Sequence, residues 1–95
     1  MIIKILEEAE RDIAIGISFY ESQKYGLGKY FLDSIISDIE SLHIYAGIHI
    51  IVAGYYRLLS KRFPFSIYYK IKENIIYVYA VLDCRQNPNS IAKRI

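Results

Sequence analysis

The stretch from residue 65 to 82 constrains the fold more than any other part of the chain. Phe65, Ile67, Tyr69 and Ile71 alternate with Ser66, Tyr68, Lys70 and Lys72, which is the period of two expected of a strand with one face on a core. The run that follows sets Ile75, Tyr77, Tyr79 and Val81 against Ile76, Val78, Ala80 and Leu82. It has no polar face, so it reads as a central strand covered on both sides. The short "KEN" between the two runs suits a tight turn. Such an antiparallel pair needs a second layer to bury its apolar side.

The N-terminal half supplies that layer. "MIIKIL" has the length and isoleucine content of a short strand, and the acidic "EEAERD" after it suits a helix N-terminus, where carboxylates meet the positive end of the dipole. Ala9, Ile13, Gly16 and Tyr20, with Asp12 and Phe19 beside them, recur at three and four, predicting one helix from about Glu7 to Lys24. "YGLG" at 25 to 28 breaks it. Phe31, Ile35, Ile39, Leu42 and Ala46 then form the stripe of a second helix, antiparallel to the first. "AGIHIIVAG", residues 46 to 54, reads as either a strand or an irregular connection, and "YYRLLS" from Tyr55 as a strand. The predicted architecture is α+β in the order β-α-α-β-β-β, with a helical hairpin packed on a small, mainly antiparallel sheet. Residues 1 to 95 form one domain. Two helices cover one side of the sheet, so a partner is expected on the other.

Composition narrows the setting. The chain is 54% apolar and has ten tyrosines, enough to offset the thin core of so short a domain. The single cysteine, Cys84, cannot form an internal disulfide and has no zinc-motif neighbours. The apolar runs are short or broken by charge, which fits neither a signal peptide nor a membrane span, so a cytoplasmic location is expected. The charge is divided. Residues 1 to 45 carry four Lys/Arg against eight Asp/Glu, whereas residues 46 to 95 carry eight against two. An anionic partner is therefore expected at the C-terminal half.

The element order, together with "FYE", "GLG", "YYRLLSKRFPFSIYY" and "VYAVLDCRQNP", closely resembles the RelE/ParE superfamily of bacterial toxins. The most specific part runs from Tyr55 to Pro88. The resemblance implies a toxin encoded beside a cognate antitoxin, whose helical and extended C-terminal segment wraps over the toxin in a hetero-oligomer. Tyr68, Lys70, Tyr77 and Tyr79 on the outward sheet face are its expected seat. RelE-like members cleave mRNA on the ribosome without a metal; ParE-like members, associated with plasmid stabilisation, poison DNA gyrase by binding. "RFPFSIYY" followed by Arg-Gln-Asn-Pro is similar to the ParE side. Many relatives have His where Asp83 stands, a second basic residue near Arg85 and Trp near Ile91, so a degenerate member that no longer poisons is a third reading.

Arg57, Lys61, Arg62 and Arg85 are the candidate target-binding residues. Arg62 and Arg85 lead, because a planar guanidinium at a strand end is rigid, reachable and able to hold phosphate or carboxylate through two bonds. The bland alternative is that these arginines pair with Asp83, Glu73 or acids of the first helix. A metal-free nuclease would use Lys61, Arg62 and Arg85 as cations, but it also needs an acid and a base. The tail "QNPNSIAKRI" contains neither His nor Tyr. His43 and His49 fall in a helix end and a connector, where solvated or capping roles are expected. Cys84 reads as a buried structural thiol. No cofactor motif or metal-ligand spacing is present.

Overall fold

The computed structural model describes residues 1–86 and 88–95. They form β1 (Ile2–Ile5), α1 (Glu7–Gln23), α2 (Leu27–Glu40), α3 (Leu42–Tyr45), β2 (Ile51–Val52), β3 (Tyr55–Leu59), β4 (Phe65–Lys72), β5 (Ile75–Asp83) and α4 (Pro88–Arg94). The sheet order is β1-β5-β4-β3-β2. β1 runs parallel to β5, and every other pairing is antiparallel. The chain is α+β as expected, with the all-apolar strand inside the sheet. Among the described residues no helix is long and apolar enough to cross a membrane.

Local chemistry sets the boundaries. Glu73 and Asn74 both take positive φ, at 51° and 68°, and close the β4–β5 hairpin in the manner of a two-residue turn. Between the helices Gly26 takes φ 86°, a conformation that costs glycine little. The Glu21 carboxylate accepts from the N–H groups of Gly26 and Gly28, at 3.1 and 2.9 Å. These include a free donor of the α2 N-terminus. The ambiguous connector, residues 46 to 54, resolves into a loop and the two-residue edge strand β2, while the stripe expected to continue one helix through Leu42 breaks after Glu40 into α2 and the short α3.

Ala9, Ile13 and Tyr20 of α1 pack with Phe31, Ile35 and Ile39 of α2 and with Ile67, Tyr69, Ile76 and Val78 of the sheet. Strict alternation along β5 fails at one point. Tyr68 faces Ala80 but Tyr69 faces Val78, which leaves Tyr79 as the extra residue of a bulge. Because side chains alternate with a period of two, one inserted residue exchanges the faces beyond it. Val81 therefore joins the helix-side core with Ile76 and Val78, while Ala80 and Leu82 cluster with Tyr68 on the outer side.

A partner is expected on the outer face, but part of that face is covered by the chain itself. The tail folds back as α4, and Ile91 and Ile95, with Tyr55, pack against Tyr68, Ala80 and Leu82. Ser66 and Tyr68, expected to face outward, are both buried. The cover is partial: Lys70 stays exposed and Tyr77 and Tyr79 half-exposed.

Candidate functional site: a cationic sheet end beside a groove

The β4 start and the β5 end meet at one end of the sheet, where Phe65 faces Asp83 and the Cys84 N–H donates to the Pro64 carbonyl at 2.7 Å. The bend at residues 60–64 leads into this end. Phe63 anchors the bend, its ring centroid 4.7 Å from that of Tyr20 and 5.1 Å from that of Phe31, both edge-on. With Phe63 seated in this aromatic cluster, Lys61 and Arg62 are left exposed. Neither makes a hydrogen bond or ion pair with a described residue. A fixed backbone carrying two unpaired cations is a surface suited to an anionic or acceptor-rich partner.

Arg85 differs. Its Nε and Nη2 donate to the two oxygens of Asp83, at 3.0 and 2.7 Å, and its backbone N–H donates to Asp83 Oδ1 at 2.8 Å. The Arg85 hydrogen bond holds the Asp83 carboxyl below the usual carboxylate range, and in return Asp83 raises the guanidinium further above its ordinary value. Nη2 also donates to the Tyr20 hydroxyl at 3.4 Å. Sequence reasoning missed Tyr20, because nothing in the spacing links α1 to a residue 65 positions later. Only the packing of α1 along β5 brings them together.

A groove of about 420 Å³ opens beside this end, between α1, the β5 edge and α4. Ile15, Gly16, Phe19, Phe65 and Val81 give it apolar walls, and Asp12, Asp83 and Arg94 its polar ones. Along β5, pairing with β1 stops at Val78. Further on, the Asp12 carboxylate stands in for a neighbouring strand by accepting the Val81 N–H at 3.0 Å. The same carboxylate holds Arg94 of α4, which raises the Arg94 guanidinium above its ordinary value, the hydrogen bond being the larger cause.

The other residues singled out fall elsewhere. Arg57 lies in β3 opposite Tyr68, away from the Arg62–Arg85 end. Lys70 rests its Nζ 4.4 Å from the Tyr55 ring centroid and 5.7 Å from that of Tyr79, a cation–π arrangement on the uncovered part of the outer face. Tyr77 shares that strand face, and Tyr68 lies beneath α4. Cys84 is exposed, not buried as expected, with its Sγ 2.9 Å from Ser66 Oγ. His43 is exposed on α3. His49 is part-buried and its Nδ1 meets the Tyr69 hydroxyl at 2.5 Å. Asn87, within the Arg-Gln-Asn-Pro motif, lies outside the described residues. Among those residues no three His, Cys, Asp or Glu side chains are grouped to hold a metal ion.

This strand, helical hairpin and antiparallel sheet form the fold of ParE-type proteins. In particular, the chain is similar to one in the solved structure described as the chromosomal ParDE TA system from P. aeruginosa, with a TM-score of 0.70 at 20% sequence identity, covering 85% of this chain and 92% of that one. No family model and no curated protein sequence matches the chain.

Proposed function

We propose that this chain is a ParE-like toxin of a type II toxin–antitoxin pair that poisons DNA gyrase by binding it and is neutralised by a cognate antitoxin in the cytoplasm. The observation that carries the reading is the pair Lys61 and Arg62, exposed on a bend fixed by Phe63 and without a partner among the described residues, on a fold shared with a chain of a ParDE system. Arg85 completes the cationic end. Its bonds to Asp83 orient the guanidinium and also offset part of its charge, so Lys61 and Arg62 carry most of the attraction and Arg85 adds a directed donor. Arg57 serves the target from β3.

The antitoxin's seat is the part of the outer face that α4 leaves open, formed by Lys70, Tyr77 and Tyr79. An acidic segment there would meet a lysine held between two tyrosine rings. Contact with Tyr68 requires α4 to lift. No cofactor or metal takes part in this reading.

The ribosome-dependent endoribonuclease reading keeps one observation in its favour, the Tyr20 hydroxyl beside Arg85. It places a proton-bearing group next to a cation, although the tyrosine ring is buried. Expression without antitoxin separates the readings. The gyrase reading expects arrested division, filamentous cells and an induced DNA-damage response, all lost with Arg62→Ala while the variant stays folded. Growth arrest with cleaved mRNA and intact DNA would favour the nuclease. A folded chain that is harmless when expressed alone would leave only the degenerate member, and Asp83→His is then the substitution to test for restored toxicity.

A further inference from the structure

Between Glu40 and Arg57 the chain carries no Asp, Glu, Lys or Arg, its longest uncharged stretch. The uncharged run in β5 is explained by burial on both faces, but this one is not buried. Ile44, Tyr45, Ile48, Ile50 and Ile51 are exposed along it, and Leu59 of β3 is exposed beside it. Each of these six side chains is at least half exposed, and large apolar side chains grouped at a surface mark interaction sites. The patch also lies on the sheet edge opposite β1, where edge strands ordinarily carry charge or proline to prevent pairing. β2 carries neither.

Ile48, His49, Ile50, Arg57, Leu58 and Leu59 line a hollow of about 380 Å³ on this edge. Arg57 is the one fixed charge among them. Its Nε is buried with no hydrogen-bond partner, and it makes no ion pair with a described residue. A guanidinium with one N–H already shut off from water without an acceptor is costly, and a carboxylate brought to its remaining N–H groups, which are not buried, gains a charge-assisted bond. A second copy of this chain does not answer that need. In a symmetric contact the residues lining one hollow would meet their own copies, and Ile48, His49, Ile50, Leu58 and Leu59 offer Arg57 no carboxylate. The occupant that fits is a partner with large apolar side chains on either side of one acid.

We propose that the α3–β2–β3 edge is a protein-docking surface that takes an apolar segment of a partner polypeptide, with an Asp or Glu of that segment bound to Arg57. The surface lies apart from the Lys61–Arg62 end, and its Arg57 and Leu59 stand on the strand face of Tyr68 and Ser66. It shares Arg57 with the target-binding set of the toxin reading, and the peptide selection that tests it involves neither gyrase nor an antitoxin.

Selection of a random dodecapeptide display on the wild-type chain tests this, with counter-selection on an Ile50→Lys/Leu59→Lys variant whose melting curve is checked first. The expected peptides carry Ile, Leu, Phe or Met on both sides of a single Asp or Glu. A synthetic copy should shift the methyl resonances of Ile48, Ile50 and Leu59 in the wild-type protein. Its affinity should fall about tenfold on replacing its acid by the amide, and by a similar factor on Arg57→Gln, as expected for one charge-assisted bond. Three results would overturn the proposal. These are enriched peptides without an acid, methyl shifts confined to other surfaces, and concentration-dependent dimerisation of the chain that the double variant abolishes, which would assign the edge to a second copy.

Discussion

Arg94 donates from Nη1 and Nη2 to the two carboxylate oxygens of Asp12, at 2.6 and 2.9 Å, and so ties the last turn of α4 to α1. The Asp12 side chain is only 8% exposed and also accepts the Val81 N–H from the open edge of β5. The two partners are therefore unequal. Asp12→Ala strands the Val81 N–H and leaves the part-buried guanidinium only the exposed Glu8 carboxylate at 3.3 Å, and urea unfolding should show a loss of about 2–4 kcal/mol. Arg94→Met keeps most of the stem and leaves the Asp12–Val81 bond intact, so it should cost clearly less. Equal losses would mean that the bond to the strand edge contributes nothing.

The helical hairpin predicts a second asymmetry. A Cβ added at Gly28 would lie 2.8 Å from the Ile17 carbonyl oxygen, a backbone atom of α1, and one at Gly16 would lie 2.5 Å from two atoms of the Phe31 ring. Either contact forces the helices or the ring to move. Each alanine variant should lose about 1–3 kcal/mol by overpacking. Thermal melts that match wild type for both would contradict the close approach.

Titration of His49 gives a pH prediction. The Tyr69 hydroxyl, whose acidity burial weakens, accepts the Gly47 N–H at 2.9 Å and shares a hydrogen bond with His49 Nδ1 at 2.5 Å, the donor being set by the imidazole tautomer. Burial lowers the His49 pKa, so the folded state favours the neutral imidazole. A lowered folded value means that the native state binds protons less readily than the unfolded chain. This contribution to stability is therefore complete above the ordinary imidazole value of about 6.5 and is lost as pH falls from there through the folded value. Denaturant midpoints should drop between about pH 7 and 5. His49→Gln should flatten that slope, and an unchanged slope would assign it to other groups.

Much of this arrangement was legible in the sequence because it rests on short-range periodicity. The stripe Phe31, Ile35, Ile39 and the residues Phe65, Ile67 and Tyr69 lie in the helix-side core as read, whereas Ser66 and Tyr68, read as outward, are buried as well. The bulge at Tyr79 was not legible, since it changes no composition and only the pairing of Tyr69 with Val78 reveals it. The fate of the tail was hidden for a related reason. Seven residues are too few to mark a helix by period, and what folds α4 back is Ile91 and Ile95 meeting a sheet face whose composition the bulge had altered. At the candidate site, Lys61, Arg62 and Arg85 were singled out by chemistry and strand position. The contacts of Arg85 with Tyr20 and of Arg94 with Asp12 join residues 65 and 82 positions apart, which no local pattern encodes. The bond between Arg85 and Asp83 was foreseen as the bland alternative, and it forms.

The account rests most heavily on the exposed Lys61–Arg62 bend being a surface that serves the target and not the fold. The most direct measurement is a DNA cleavage assay with purified gyrase, supercoiled plasmid and this chain, comparing wild type with a Lys61→Ala/Arg62→Ala variant whose unfolding midpoint is measured in parallel. Both residues are exposed and pair with no described residue, so the midpoint should stay within about 0.5 kcal/mol of wild type. The wild-type chain should trap gyrase on cleaved, linear DNA, and the variant should not. Equal trapping by both proteins, or no trapping by a folded wild-type chain, would contradict the account.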